Sequence, residues 1–293
     1  MTERRLEQGT RANTKSSTVQ VTAGVRQADG PPWQLKLFSK SLKKQQKVRL
    51  LLRQLRPLGG DRFLLVTNGD NNGALNYHLR ASGGRWTWVE NEEGGIVQIE
   101  ELLGEPVLKG DPSSIPVPDA AFDVVVSIDV HEHLQNCEEF NRELKRVTRP
   151  GGYVIVTTPS GSPSKPVTLL KRLLGMSKER YGHVVWGYTI QQHEQMLSAV
   201  GLEPMTSGSY SRFFTELIEL GINFIYVVVL SRKKTRAREG EIAPSTRDKL
   251  RAVEKQYRLY SAVYPFLLAI SKLDLLLPFS TGYAVSVVGR RKQ

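Results

Sequence analysis

Between residues 62 and 160 short apolar runs alternate with helical stretches. This alternation restricts the fold more than any other feature, because β-α-β units in series build a mostly parallel sheet with helices on its faces. Strands are expected at Phe63–Val66, Trp86–Glu90, Pro106–Lys109, Phe122–Ile128 and Tyr153–Thr158, with helices near Asn72–Arg80, Gly94–Leu103 and Glu138–Val147 between most of them. Arg149-Pro150-Gly151-Gly152 reads as a sharp stop before the fifth strand. A helix at Thr189–Val200 ends at Gly201, and further strands are expected near Leu202–Ser207 and Tyr283–Gly289. The expectation is an α/β fold with a doubly wound, mostly parallel, seven-stranded sheet.

Ahead of the first strand, Leu42, Val48, Leu51, Leu52 and Leu55 form a helical stripe among Lys43, Lys44, Lys47, Arg49 and Arg53, and Pro57-Leu58-Gly59-Gly60 ends it. Such a basic amphipathic helix either packs on a sheet or lies on a membrane. Residues 1–32 are polar and lack hydrophobic periodicity, so they read as a disordered basic tail, leaving 33–293 as the folded domain. An insertion at about 210–281 precedes the last strand. Its two apolar segments, Phe213–Leu230 and Leu259–Phe279, carry Glu216, Glu219, Asn223, Lys272 and Asp274, so neither offers an unbroken spanning run, and covering helices are expected. The basic stretch Arg232–Arg238 lies between them.

The formal net charge of +12 is unevenly spread. Residues 1–60 hold 13 Lys/Arg against 3 Asp/Glu, residues 61–230 hold 14 against 21, and residues 231–293 hold 14 against 5. An acidic centre between basic flanks argues against nucleic acid as the partner, since a phosphate-binding patch belongs on the working domain. The flanks are either docking surface for an anionic membrane or ordinary solvated faces. One cysteine, Cys137, excludes a disulfide framework and a multi-cysteine metal site and suggests a reducing compartment. No apolar leader follows the first residues, so a cytoplasmic location is expected, peripheral on the membrane if the flanks dock there.

Ligands of doubly wound sheets gather at the carboxyl ends of the strands. After the first strand comes Thr67-Asn68-Gly69-Asp70-Asn71-Asn72-Gly73, a tight turn whose glycines allow close backbone approach. About twenty residues on stands Glu90, a carboxylate suited to accept from both hydroxyls of a ribose. Gly110-Asp111 puts another acid at the same edge, and Asp129-Val130-His131-Glu132-His133 crowds polar groups after Val124-Val125-Val126.

Together these residues resemble the class I S-adenosylmethionine-dependent methyltransferases, in particular the small-molecule, type 11-like branch. The most telling series is Ile115-Pro116-Val117-Pro118-Asp119-Ala120-Ala121-Phe122-Asp123-Val124-Val125, then Asp129 to Leu134, then Glu143 to Gly152. The resemblance implies a Rossmann-like methyltransferase fold and S-adenosyl-L-methionine as cofactor. It gives Gly69, Asp70, Asn71 and Gly73 the methionine part, Glu90 the ribose, Asp111 and Ser113 the adenine, and Asp129 the cofactor or substrate side. The family loop reads D-x-G-x-G-x-G, whereas Thr67 and Asn71 stand here for the acid and the middle glycine, and Pro112 lacks an N–H.

Methyl transfer from a sulfonium needs alignment and exclusion of water more than it needs a base. Where the acceptor is a hydroxyl, His131, His133 and His183 are the candidate proton acceptors. Tyr181, Tyr188, Tyr210 and Arg212 are expected on the acceptor's side. Glu132-His133 alone does not make a metal site, and no metal is expected. The function implied is methyl transfer to a small-molecule or lipid-linked acceptor. The alternatives are a non-catalytic binding or scaffold relative, favoured by the altered loop, and an RNA methyltransferase resting on basic flanks alone.

Overall fold

Leu64 and Val66 bury themselves on one face of the central strand β1 (Arg62–Thr67), while Phe63 and Leu65 bury themselves on the other. Successive side chains of a strand point to opposite faces, so a run that is apolar at every position must be covered on both sides. The same division recurs in β4 (Phe122–Ile128), where Val124 and Val126 oppose Val125, and in β5 (Thr148–Pro159), where Ile155 opposes Val154 and Val156. The computed structural model describes residues 30–69, 71–231 and 247–293. It divides the chain into Met1–Pro31 and Pro32–Gln293. Most of the expected tail, the stretch Arg232–Arg238 and Asp70 lie outside the described residues.

With β2 (Arg85–Glu90), β3 (Leu108–Lys109), β6 (Leu202–Tyr210) and β7 (Ala284–Arg291), the sheet runs in the order β3-β2-β1-β4-β5-β7-β6. Pairs from β3 through β5 are parallel, and β7 is antiparallel to both β5 and β6. One face is covered by α2 (Leu42–Leu55), α3 (Ala74–Arg80) and α4 (Glu93–Leu103), through Leu51, Leu55, Leu79 and Ile99. The other is covered by α5 (Cys137–Val147) and α7 (Ile190–Ala199), through Phe140, Leu144, Val147 and Leu197. Both of these helices start where the side chain of a polar residue takes orphan N–H groups. Asn136 accepts from Glu138 and Glu139, and Thr189 forms a reciprocal box with Gln192.

The fifth strand starts at Thr148 instead of Tyr153, because Pro150-Gly151-Gly152 forms an irregularity inside the strand and not a stop. Phe122 pairs with Thr148 and Val124 with Tyr153, so the extra residues loop out, with Gly151 at φ +75°. A Cβ on Gly152 would sit 2.8 Å from the Asp123 carbonyl, which is why the close approach requires glycine. The third strand shrinks to two residues, since Pro106 has no N–H for the ladder. Two short helices were not expected, α1 (Trp33–Phe38) and α6 (Pro166–Leu173), the latter starting with its proline at the first helical position.

The insertion forms α8 (Phe213–Ser231), α9 (Arg247–Ala252) and α10 (Glu254–Ser271), which a 3-10 turn continues to Leu276. Helix α8 packs against α2, α6 and α10. The Asp274 carboxylate accepts from the Phe214 and Thr215 N–H groups at 2.8 and 3.1 Å, capping α8 from the far end of the insertion. Contrary to the sequence expectation, Glu254–Leu276 is long and apolar enough to cross a membrane by length and composition, because Pro265 is absorbed within the helix. One side of α10 is nevertheless fastened to the domain. Tyr257 and Tyr260 donate to the Lys36 and Lys40 carbonyls, and the Tyr264 hydroxyl accepts from Gln45.

Candidate functional site

Strands β1 and β4 are neighbours with Thr67 opposite Ile128, and it is here that the strand order reverses. Chain leaving their tips must diverge to opposite faces of the sheet, and a crevice opens between the two loops. A cavity of about 720 Å³ occupies this position. Its floor is Thr67, Gly69, Asn72, Asp129, Glu132 and His133, one wall carries Lys43 and Lys47 of α2, and the roof is apolar side chains of α1, α8 and α10.

The loop after β1 is held from within. Gly69 has φ +79°, and a Cβ there would meet the Glu92 carboxyl at 2.9 Å. Asn71 donates to Thr67 Oγ1 and Asn76 Oδ1 at 3.1 and 3.0 Å and accepts from the Gly73 N–H at 3.0 Å. Its amide thus braces the turn at the place where the family has glycine. Gly73 is likewise left-handed, at φ +86°.

Glu90, expected to hold a ribose, is fully buried, and its carboxylate is already committed inside the protein. Oε1 accepts from the N–H groups of Gly69, Asn91 and Glu92 at 2.7, 2.8 and 3.0 Å, and Oε2 accepts from the Thr67 hydroxyl at 2.6 Å. Glu90 therefore braces the loop and does not line the cavity. The acid that stands exposed over Gly69, with no side-chain partner among the described residues, is Glu92. Glu90 and Asp111 occupy the same sheet edge, since Glu90 pairs with Lys109 and its carbonyl accepts from Gly110 at 3.2 Å. Asp111 is exposed and accepts from both the N–H and the hydroxyl of Ser113, which hold its carboxyl below the usual range. Neither residue lies on the cavity wall.

Asp129 has the strained φ of +52°, which turns its carboxylate into the cavity to pair with Lys47. Burial alone would raise this carboxyl, but the Lys47 ammonium, with Lys43 behind it, holds it low. The three candidate histidines separate. His133 and His183 line the cavity with ring centroids 4.9 Å apart. Burial and then the His133 ring lower His183 to about 3, leaving it neutral. His131 is fully buried off the cavity, hydrogen-bonded to Asn141 at 2.8 Å, and burial lowers it to about 4. It packs in the core, and the structure gives it no reach to a reacting atom.

Of the acceptor-side residues, Tyr181 and Tyr210 line the cavity, joined by Trp186. Tyr188 turns away, its hydroxyl 3.2 Å from the Cys137 sulfur. Arg212 also turns away and donates to the carbonyls of Ser280, Pro278 and Asp274, clasping the two ends of the insertion. Both therefore have structural partners in place of the expected acceptor.

Sequence reasoning missed the charged wall. Lys47, one of the basic residues beside the apolar stripe, lies four residues before the buried Leu51 and so on the buried face. In the sequence Glu216 stands only as an interruption of an apolar segment. It is 1% exposed and accepts from Lys171 at 2.5 Å, Lys43 at 3.0 Å and the Ser211 hydroxyl at 2.6 Å. Burial opposes its ionisation, but the two lysines draw its carboxyl down to about 2. An acid inside an otherwise greasy helix was the signal for a buried partner.

Residues 68–156 match the family model described as a methyltransferase domain. A phthiotriol/phenolphthiotriol dimycocerosates methyltransferase of Mycobacterium ulcerans is 30% identical over 103 residues, 34% of this chain and 38% of that protein. Ajmaline N-methyltransferase of Rauvolfia serpentina is 32% identical over 111 residues, 35% of this chain and 36% of its own. The matches thus span little more than a third of these relatives. In fold, an S-adenosylmethionine-dependent methyltransferase of Thermotoga maritima superposes with a TM-score of 0.51 at 14% identity, covering 88% of this chain and 96% of that one. The matched segment runs from the loop after β1 through β5 and so contains both loops that floor the cavity. Residues 68–156 thus match the class I S-adenosylmethionine-dependent methyltransferases, and the seven-stranded sheet shares the fold of that solved structure.

Proposed function

We propose that the protein transfers a methyl group from S-adenosylmethionine to an acceptor with an extended apolar body, a small molecule or a lipid-linked one. One observation carries this reading. The same cavity is walled by Thr67 and Gly69 at the sheet and by Ile218, Ile222, Leu259 and Val263 in the insertion helices. A site that receives only a polar acceptor has no use for such a roof, whereas an apolar body gains about 25 cal/mol per Å² buried against it. The name of one relative, a phthiotriol/phenolphthiotriol dimycocerosates methyltransferase, supports a lipid-linked acceptor, and that of another, ajmaline N-methyltransferase, a small-molecule one.

The residues present fit the cofactor. Gly69 presents bare backbone to the cavity, and the Glu92 carboxylate, off the cavity wall but beside Gly69 and without a side-chain partner among the described residues, offers an acceptor for hydroxyl donors, with Glu90 fixing the loop beneath. The bound cofactor supplies a methyl group on a positively charged sulfur. Asp129, ionised beside Lys47, lines the cavity floor there, while the apolar roof keeps water out and fixes the acceptor's approach. The outer side of α10 and the turn after it expose Phe266, Leu276 and Phe279 beside Lys255, Arg258 and Lys272. This composition suits an anionic membrane surface from which a lipid-linked acceptor enters.

Calorimetry with S-adenosylmethionine and S-adenosylhomocysteine tests the reading, followed by incubation with methyl-labelled cofactor and total extracts. Binding of both, with label appearing in an organic-soluble product, is expected. A folded protein that binds neither overturns the proposal, and binding without label in any extract transfers the chain to the non-catalytic alternative.

A further inference from the structure

Among the described residues, Glu132, His133 and His183 form the one cluster of metal-ligating side chains, their donor atoms all within 4.8 Å of one another. We propose that these three residues hold a divalent first-row transition-metal ion on the cavity wall. Glu132 and His133 belong to the 3-10 turn after β4 (His131–His133), and His183 comes from the loop before α7, so two remote segments meet at the cluster.

The meeting is built and not incidental. The N–H groups of Val184 and Val185 donate to the Glu132 carbonyl at 2.8 and 3.3 Å, which stitches the loop to the turn beside all three ligands. His133 Nδ1 lies 2.8 Å from the Gly182 carbonyl. A carbonyl only accepts, so Nδ1 carries the proton and Nε2 keeps its lone pair for a metal, the arrangement by which ligating histidines are oriented.

Glu132 provides the independent sign of a missing partner. It is fully buried, and neither carboxylate oxygen has a hydrogen-bond partner. Burial, and then the Asp129 charge, push the Glu132 carboxyl well up, so the group either keeps its proton here or exchanges it for a cation. The nearby lysines are engaged elsewhere, Lys47 with Asp129 and both Lys43 and Lys171 with Glu216.

Two imidazoles and a carboxylate suit zinc, cobalt, manganese or iron(II) better than magnesium or calcium, which prefer all-oxygen sets. Bond lengths of about 2.0–2.2 Å hold donors about 3–3.6 Å apart, so the side chains would close in by about 1 Å or more where they now stand widest. All three residues line the cavity, so the remaining coordination positions face it, as in catalytic rather than closed structural sites. There the ion would take an oxygen of the molecule in the cavity. That last step rests on the methyl-transfer reading, whereas the ion's own binding does not.

The test is a titration of the full untagged chain, stripped with chelator, with Co²⁺ alone, followed by its visible absorption and by calorimetry. One Co²⁺ per chain is expected, with Glu132→Gln, His133→Gln and His183→Gln each weakening it by more than about tenfold. His78→Gln, on α3 away from the cluster, should leave binding unchanged. No saturable binding by the folded wild-type chain, or equal binding by all three cluster variants, overturns the site. S-adenosylhomocysteine binding is measured on the same sample, so absent Co²⁺ with intact product binding removes the metal and leaves the methyl-transfer reading standing.

Discussion

The Lys47 ammonium, on the first long helix, pairs with the Asp129 carboxylate at the tip of the fourth strand. The pair links α2 to the sheet edge where two loops of the matched segment floor the cavity, and Asp129 takes there a backbone angle that few non-glycine residues adopt.

Lys47→Met should free the Asp129 carboxylate and remove the reason for its strained turn. Breaking a buried ion pair costs about 3–5 kcal/mol, and partial exposure of Asp129 reduces this to about 1–3 kcal/mol. Because the folded-state carboxyl is held low, its contribution is present above its unfolded value and is lost as pH falls through the folded one. Urea denaturation should therefore show the variant and the wild type converging in stability below about pH 4. A constant difference between them down to pH 2 would contradict the pairing.

Glu216 should be the most sensitive acid in the insertion. Its carboxyl is lowered to about 2 by Lys171 and Lys43 against the penalty of burial. The stabilisation is complete above the ordinary carboxylate range and disappears between about pH 4.5 and pH 2. Glu216→Gln keeps the shape but strands two lysines, so a loss of about 3–5 kcal/mol is expected near pH 7. Thermal melts at pH 7 and pH 3 check it, the gap narrowing at the lower pH.

Glu90 and Glu92 should separate when each is changed to Gln. Glu90→Gln turns one acceptor oxygen into a donor facing N–H groups, so it should lower the melting temperature as well as product affinity, by about 1–3 kcal/mol in stability. Glu92→Gln, at an exposed side chain, should leave the melt unchanged and weaken S-adenosylhomocysteine severalfold. Equal melts for the two variants would show that Glu90 is not the brace.

The sheet was legible because strands buried on both faces read as continuous apolar runs, as Val124-Val125-Val126 does, and because Gly201 and Thr189 mark the ends of a helix plainly. The loop after β1 was legible in position but not in chemistry. Nothing in the order Thr67 to Gly73 says that Asn71 will brace the turn or that Glu90 will face inward. The cavity's upper wall was beyond local reading altogether. Lys43 meets Glu216 across 173 residues, and His183 reaches Glu132 and His133 only because Val184 hydrogen-bonds there. Such contacts depend on how the insertion and the loop before α7 fold back over the sheet, which periodicity and spacing do not encode.

The outer edge of the insertion should bind membranes. Phe279 is completely exposed, and Leu276 and Phe266 are 74% and 68% exposed, large apolar side chains left open to solvent. Lys255, Arg258 and Lys272 flank them, so anionic headgroups and acyl chains are both accommodated. Inserting one Phe or Leu side chain gains about 1.5–3 kcal/mol, so the double substitution Phe266→Ser with Phe279→Ser should weaken vesicle binding at least tenfold. Because both side chains are largely exposed, the variant should melt like the wild type. Co-sedimentation with vesicles of anionic and neutral composition, at low and high salt, measures it. Binding should fall on neutral vesicles and in high salt, as the charged part is screened. Wild-type protein that stays in the supernatant with anionic vesicles at low salt would mean that this apolar edge meets something other than a bilayer.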